Sequence, residues 1–136
     1  MSIKDERSTE VVFKDHVRLR LEGKLEDDLE RNYSEHVVLL TVNSNAQGHD
    51  AIRTSATRLE EQLPQASFEI IEMQTNGPFA LLIWSARSSG MDAVEGADSF
   101  VIENGKIVFQ SIHYGLKSGA GDHARGATID GHPNGD

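Results

Sequence analysis

Cysteine is absent from this chain of 136 residues, and aromatic residues make up only 6% of it. Without a thiol there is no disulfide framework, no thiolate nucleophile and no sulfur-ligated zinc site. The chain also lacks an apolar run near the ~20 residues of a membrane-spanning helix. Its charged N-terminus, MSIKDERSTE, does not resemble a signal peptide. We therefore expect a cytoplasmic protein that does not enter a membrane.

Basic residues are in the minority, since 13 Lys and Arg stand against 22 Asp and Glu, for a net charge of −9. A nucleic-acid-binding module needs a basic face to neutralise phosphates, so we expect no nucleic-acid partner. Binding of a polybasic segment to an anionic membrane is equally unexpected. The length fits one domain with a core of its own.

The C-terminal segment differs in composition from the rest of the chain. From Lys117 onward it is rich in glycine, and Ile129 is its only large apolar residue. Such a segment buries too little surface to offset the entropy lost on ordering. We predict a folded domain over residues 5–116 and a flexible tail over residues 117–136.

The first half of the domain predicts three helices and one strand. Apolar residues share a helical face over residues 8–22, and a second short helix follows Gly23. A third helix begins at Gly48-His49-Asp50 and ends before Pro64. The β-branched run at residues 37–42 predicts a strand between the second and third helices.

The second half predicts only strands, over residues 68–73, 79–84, 97–102 and 106–114. Asn104-Gly105 predicts a hairpin between the last two, because both central residues of a type I′ turn need positive φ. The order α-α-β-α-β-β-β-β indicates an α+β fold, with the helices on one face of a curved antiparallel sheet.

Two continuous apolar runs, at residues 79–84 and 107–109, indicate that both faces of this sheet are covered. The helices cover only one face. We therefore expect a homodimer that joins two copies through the other face. The alternative is a monomer on which one or two of these side chains are exposed, which is common for single residues.

Three strings in this chain resemble those of a known family: EGKLEDDLERNYSEHVVLL, QGHDAIR and GADSFVIENGKIVFQSIHYG. In this order and spacing, over about residues 10–116, they resemble the NTF2-like or SnoaL-like superfamily, which includes ketosteroid isomerase. The resemblance implies a cone, in which a bent sheet wraps around the N-terminal helices and leaves a pocket for a small apolar or amphipathic ligand. It implies no single activity, since this fold hosts isomerases, dehydratases, cyclases and proteins without chemistry.

Asp98 breaks the apolar pattern of its strand. Because side chains alternate along a strand, it shares a face with Phe100 and Ile102, which we expect to point into the cone. Burial there raises the pKa of a carboxyl group and suits it to act as an acid or a hydrogen-bond donor. The resemblance puts Asp98 at the position of the isomerase's protonated oxyanion-hole aspartate. The alternative is a solvated residue at the mouth or a partner of a basic side chain.

His16 and Arg20 interrupt the apolar face of the first helix. The resemblance puts His16 at the position of the isomerase's oxyanion-hole tyrosine, where an imidazole can transfer a proton near neutral pH. The alternative is a partly buried histidine whose ring nitrogens form hydrogen bonds with a neighbouring residue. Arg20 either contacts the ligand or forms a salt bridge with Asp27 and Asp28.

The last strand carries Tyr114 on the face that the resemblance makes the inner one. Its hydroxyl then orients a ligand, or its ring packs in the core with the hydroxyl at the rim. The catalytic candidates are His16, Asp98 and Tyr114. The predicted ligand-binding residues are Phe13, Arg20, Trp84, Phe100, Gln110 and Ile112.

Thr41 stands where the resemblance puts the isomerase's proton-shuttling aspartate, and residues 39–43 contain no carboxylate. Threonine cannot serve as a general base, so that route of steroid isomerisation is not expected. The histidines lack metal-ligand spacing and no phosphate-binding glycine loop is present, so we expect neither metal nor cofactor. Two functions stay open. The protein is either a cofactor-independent acid–base catalyst or a non-catalytic binding module in which side chains fill the pocket.

Overall fold

A computed structural model describes residues 7–118. Its elements are, in chain order, α1 (Thr9–Leu21), α2 (Leu25–Asn32), β1 (Tyr33–Thr41), β2 (Asn45–Gln47), α3 (His49–Gln62), β3 (Ser67–Asn76), β4 (Phe79–Arg87), β5 (Met91–Glu103) and β6 (Lys106–Ser118). The predicted α+β class and the order of helices before strands are confirmed. No helix among these residues is long and apolar enough to cross a membrane.

The sheet has the strand order β2-β1-β6-β5-β4-β3 and is mixed. The prediction of an antiparallel sheet is wrong at one pair, because β1 runs parallel to β6, with Thr41 beside Ile112. Parallel neighbours need a long connection, and here that connection contains α3 and four strands, β2 to β5. The prediction also lacked β2, whose three residues are all exposed and carry no apolar alternation.

Gly23 lies in the turn that follows α1 and has a φ of 75°. The Gly23 amide donates to the Arg20 carbonyl at 3.1 Å, and the Lys24 amide donates to the Leu19 carbonyl at 2.8 Å. These two bonds form a Schellman motif, which satisfies carbonyls at the end of the helix. The turn sends α2 back along α1, so that side chains of the two helices meet.

The core lies between α1 and the inner face of the sheet. The ring centroids of Phe13 and Phe100 are 5.3 Å apart, which joins α1 to β5. Asp98, Phe100 and Ile102 are all buried, as the alternation along this strand predicts. Asn104 and Gly105, at φ 52° and 75°, form the predicted hairpin turn after it.

The opposite face of the sheet carries apolar side chains that are exposed to solvent. Phe79 is 60% exposed and Leu81 is 36% exposed, both on β4. Phe79 is paired with Val101 on β5, which is in turn paired with Phe109 on β6. These residues form one apolar patch across the middle of the sheet, which we call the outer patch.

Strand β6 continues through Lys117 and Ser118, which the sequence analysis assigned to the tail. They belong to the sheet because they pair with Asp92 and Met91 of β5. The rest of the predicted tail, residues 119–136, lies outside the described residues.

We predict that Gly23→Ala lowers the free energy of unfolding by about 1 kcal/mol, because alanine is strained at positive φ. A Cβ at this position meets no atom within 4 Å, so the cost arises from backbone conformation and not from crowding. Gly90→Ala is the matched control, since Gly90 has the same open space without positive φ. Urea unfolding of both variants measures the difference, and equal stabilities would contradict the prediction.

Candidate active site

A cavity of about 740 Å³ lies between α1, α3 and the inner face of the sheet. Its volume is that of a site for a small molecule. Apolar side chains from α1, α3 and β3 form much of the wall, among them Val17, Leu21, Ile52, Leu59 and Phe68. Trp84 forms part of the wall and does not fill the space.

Most of the predicted site residues line this cavity, namely His16, Arg20, Trp84, Asp98, Gln110, Ile112 and Tyr114. Phe13 and Phe100 lie behind the wall, each 1% exposed. The ring centroid of Phe100 is 5.2 Å from that of His16, in an edge-on arrangement. Phe100 therefore supports the imidazole from the core side, and Phe13 packs against Phe100.

Asp98 is held at both carboxylate oxygens. Its Oδ1 accepts from Trp84 Nε1 at 2.9 Å, and its Oδ2 accepts from Gln110 Nε2 at 3.1 Å. Burial raises the pKa of Asp98 to about 6, although these two donors and the nearby His16 and Arg20 lower it in part. At neutral pH the group is an oriented carboxylate, which is the form of a general base.

Gly96 permits the bond between Trp84 and Asp98. It lies beside Trp84 in the sheet, and a Cβ on it would come within 2.4 Å of the indole ring. No side chain fits at this distance. The glycine therefore allows the indole to lie flat against β5 and direct its N–H to the carboxylate.

His16 forms a buried pair with Asp28. The distance from His16 Nδ1 to Asp28 Oδ2 is 2.7 Å, and the two residues are 3% and 0% exposed. An ionised carboxylate only accepts hydrogen bonds, so Nδ1 carries the proton in this pair. Nε2 is then the nitrogen available to the cavity that His16 lines.

The sequence analysis missed Asp28 as a site residue and named it only as a candidate partner of Arg20. The spacing of Asp28 from the apolar residues of its helix could have identified it as buried. Asp28 lies three residues after Leu25 and next to Leu29, on the buried stripe of α2. An acid on such a stripe needs a partner across the helix contact.

Arg20 lines the cavity close to Tyr33, and the ion pair of Asp28 is with His16 rather than with Arg20. The Tyr33 hydroxyl donates to Gln110 Oε1 at 2.5 Å. Burial holds the pKa of Tyr33 well above its usual value, so the phenol stays a donor. A chain of hydrogen bonds therefore runs from Tyr33 through Gln110 to Asp98.

Tyr114 and Thr41 have protein partners for their hydroxyl groups. The Tyr114 hydroxyl donates to Gln62 Oε1 at the end of α3, and its ring lies 5.3 Å from Trp84 between centroids. The Thr41 hydroxyl accepts from the Asn43 amide at 3.0 Å. Thr41 thus stabilises a turn, and the buried acid among the residues that line the cavity is Asp98.

Within residues 7–118, no three His, Asp or Glu side chains lie close enough together to hold a metal ion. The absence of a metal and of a cofactor stays a prediction. The fold and the cavity define an α+β cone whose ligand-sized pocket contains a buried carboxylate and a buried imidazole. The chain matches the model of the SnoaL-like domain over residues 13–110, and it belongs to that family.

Solved structures share this fold. An NTF2-like protein from Burkholderia thailandensis has a TM-score of 0.68 at 14% identity, over 79% of this chain and 91% of that one. A candidate polyketide cyclase from Acidithiobacillus ferrooxidans has a TM-score of 0.62 at 13% identity, over 82% and 89%. AclR, a candidate hydroxylase from Streptomyces galilaeus, has a TM-score of 0.63 at 10% identity, over 78% and 87%.

At these identities the structural likeness establishes the fold alone. Together with the family match it confirms the resemblance to the NTF2-like superfamily. No curated protein matches the sequence closely enough to count as a relative.

We predict a fall in stability as Asp98 ionises. Its pKa is about 6 in the folded protein and ~3.9 in an unfolded chain. Between these values the folded chain retains a proton that the unfolded chain has lost, so the free energy of unfolding decreases as pH rises. The loss is complete above pH ~6 and amounts to about 3 kcal/mol.

Asp98→Asn removes this titration. Urea unfolding from pH 4 to pH 7.5 should therefore show the wild type losing about 2 kcal/mol relative to the variant, since part of the loss already lies below pH 4. Asp27→Asn is the control, because Asp27 is exposed and its removal leaves the Asp98 titration intact. Parallel curves for the wild type and Asp98→Asn would show that Asp98 ionises at an ordinary pH.

Proposed function

We propose that this protein binds a small, largely apolar molecule in the cavity and catalyses a proton transfer on it, with Asp98 as the base. One observation carries the proposal: a buried carboxylate, oriented by two N–H donors, lies in the wall of an apolar cavity of about 740 Å³. A base of this kind acts best near its own pKa, which is about 6 for Asp98.

The polar groups suit a substrate with an acidic C–H next to a carbonyl. Asp98 takes the proton from carbon, and the electron pair of the broken C–H bond moves onto the carbonyl oxygen. His16, whose Nδ1 is held by Asp28, donates a proton from Nε2 to that oxygen and keeps the proton on Nδ1. Arg20 supplies positive charge beside the developing oxyanion. Return of a proton at another carbon, as the carbonyl re-forms, completes an isomerisation. In a dehydration the re-forming carbonyl instead breaks the C–O bond of a β-hydroxyl, which leaves as water with a returned proton. In a cyclisation the enol carbon bonds to a second carbonyl carbon of the substrate, whose oxygen takes up the proton.

The description of one structural neighbour as a candidate polyketide cyclase is consistent with this chemistry. The alternative, a non-catalytic module with a filled pocket, requires side chains to occupy the cavity. Leu39 and Phe100 are buried elsewhere in the core and leave the space open. The open cavity therefore favours ligand binding.

The test is deuterium exchange at C1 of 2-tetralone, a small apolar ketone, followed by proton NMR in D₂O. We expect the wild type to accelerate exchange above the buffer rate. Asp98→Asn should slow the catalysed exchange by at least about 100-fold, which is the usual contribution of a general base. His16→Gln should slow it as well, because the oxygen loses its proton donor.

The matched controls are Asp27→Asn and His36→Gln, which alter exposed residues of the same types. Both should exchange at the wild-type rate. Binding of 2-tetralone, measured by amide chemical shifts, separates a loss of affinity from a loss of catalysis. Bound ketone that exchanges no faster than in buffer, or equal rates in the wild type and Asp98→Asn, would refute the assignment of the base.

We also propose that two copies of the chain join through the outer patch. The patch and its neighbours on β4, β5 and β6 are uncharged, namely Phe79, Leu81, Ile83, Ser99, Val101, Phe109 and Ser111. A chain with a net charge of −9 repels its own copies, so they approach best where the surface is neutral. A two-fold dimer needs such a self-complementary face.

Sedimentation velocity tests the dimer, which we expect at micromolar concentration. Phe79→Glu together with Leu81→Glu should yield a monomer, because the two copies would then bury four carboxylates without partners. Val11→Glu is the matched control, since Val11 is 50% exposed on α1 and lies away from the patch. A wild-type monomer at this concentration would overturn the proposal.

A further inference from the structure

The amide of Asn32 joins two carboxylates at the contact between α1 and α2. Its Nδ2 donates to Asp28 Oδ1 at 2.8 Å and to Asp15 Oδ2 at 2.9 Å. Its Oδ1 accepts from Arg7 Nη1 at 2.8 Å. Asn32 is 0% exposed, and both N–H groups and the oxygen are in use. A flipped amide would direct its oxygen at two carboxylates, so only this orientation satisfies the neighbours.

Asp28 therefore has partners at both oxygens. Asn32 holds Oδ1, and Oδ2 is 2.7 Å from His16 Nδ1. We propose that Asn32 is a positioning residue of the candidate active site: by holding Asp28 it keeps the His16 proton on Nδ1 and Nε2 toward the cavity. The catalytic consequence rests on the proposed function, whereas the positioning itself does not.

Positive charge at the surface completes this network. Asp15 Oδ1 accepts from Arg18 and from Arg31, each at 2.9 Å. Partial burial raises the pKa of Asp15, but hydrogen bonds from Asn32 and Arg18 and the charges of both arginines lower it below its usual value. Asp15 is thus a stable anion that holds the second N–H of Asn32. The network runs from guanidinium groups at the surface to the imidazole in the cavity.

A neutral amide suits the place between these anions. A carboxylate at position 32 would repel Asp15 and Asp28, and an apolar residue would leave both with an unused oxygen. The other polar groups that face His16 are Tyr33 of β1, whose ring centroid is 5.7 Å away, Asp98 of β5 and Arg20 of its own helix. None of these groups holds Nδ1, so the tautomer depends on Asp28.

The test is the ring-nitrogen NMR spectrum of ¹⁵N-histidine-labelled protein, recorded without ligand from pH 5 to pH 9. Long-range ¹H–¹⁵N correlations report the tautomer of each histidine. In the wild type, neutral His16 should carry its proton on Nδ1. Asn32→Ala should change the tautomer ratio of His16 by about tenfold or more toward Nε2–H, which is the effect of losing a charge-assisted hydrogen bond.

Asn32→Ser is a second variant that removes less volume and should show the same change. Asn45→Ala is the matched control, because Asn45 is an exposed amide on β2. The exposed His36 and His113 serve as internal references in every sample. An unchanged His16 tautomer in folded Asn32→Ala and Asn32→Ser would overturn the proposal and leave Asn32 a purely structural role.

This measurement and the 2-tetralone assay fail independently. A tautomer change without any catalysed exchange keeps the positioning role and removes the proposed function. If exchange depends on Asp98 but the His16 tautomer is the same with and without Asn32, the proposed function stands and the positioning role of Asn32 is refuted.

Discussion

A carboxylate that loses its water must receive hydrogen bonds from the protein, and Asp98 receives both of its own from neighbouring strands. Trp84 of β4 reaches it only because Gly96 leaves space for the indole. Gln110 of β6 reaches it because the Tyr33 hydroxyl occupies the other end of the same amide. The register of β4, β5 and β6 is therefore tied to one buried charge, and a slip of one residue would leave that charge without partners.

The cavity joins two polar systems of different origin. The sheet supplies Asp98 and its donors, whereas the first two helices supply His16 and Asp28. The contact between Phe13 and Phe100 sets how α1 lies on β5 and hence how far the imidazole is from the carboxylate. Apolar packing thus decides the geometry of a polar site, which is the usual way for a small domain to position reactive groups.

Membership of the SnoaL-like family specifies the cone and leaves the chemistry to a few side chains. The resemblance puts the isomerase's base at Thr41 of β1. The hydroxyl of Thr41 accepts a hydrogen bond within a turn instead. The buried acid in the cavity wall lies on β5 instead, and burial raises its pKa to about 6. The base that we propose therefore comes from a different strand of the same fold.

Periodicity and turn chemistry are local, so the sequence by itself determined the helices, most strands, the turn at Asn104-Gly105 and the polar breaks at His16 and Asp98. It missed β2, the parallel pairing of β1 with β6 and the burial of Asp28. Those features depend on contacts between distant parts of the chain, such as Tyr33 with Gln110, 77 residues away. Only the tertiary structure decided which polar side chains meet, because a hydrogen-bond partner is chosen by packing and not by sequence spacing.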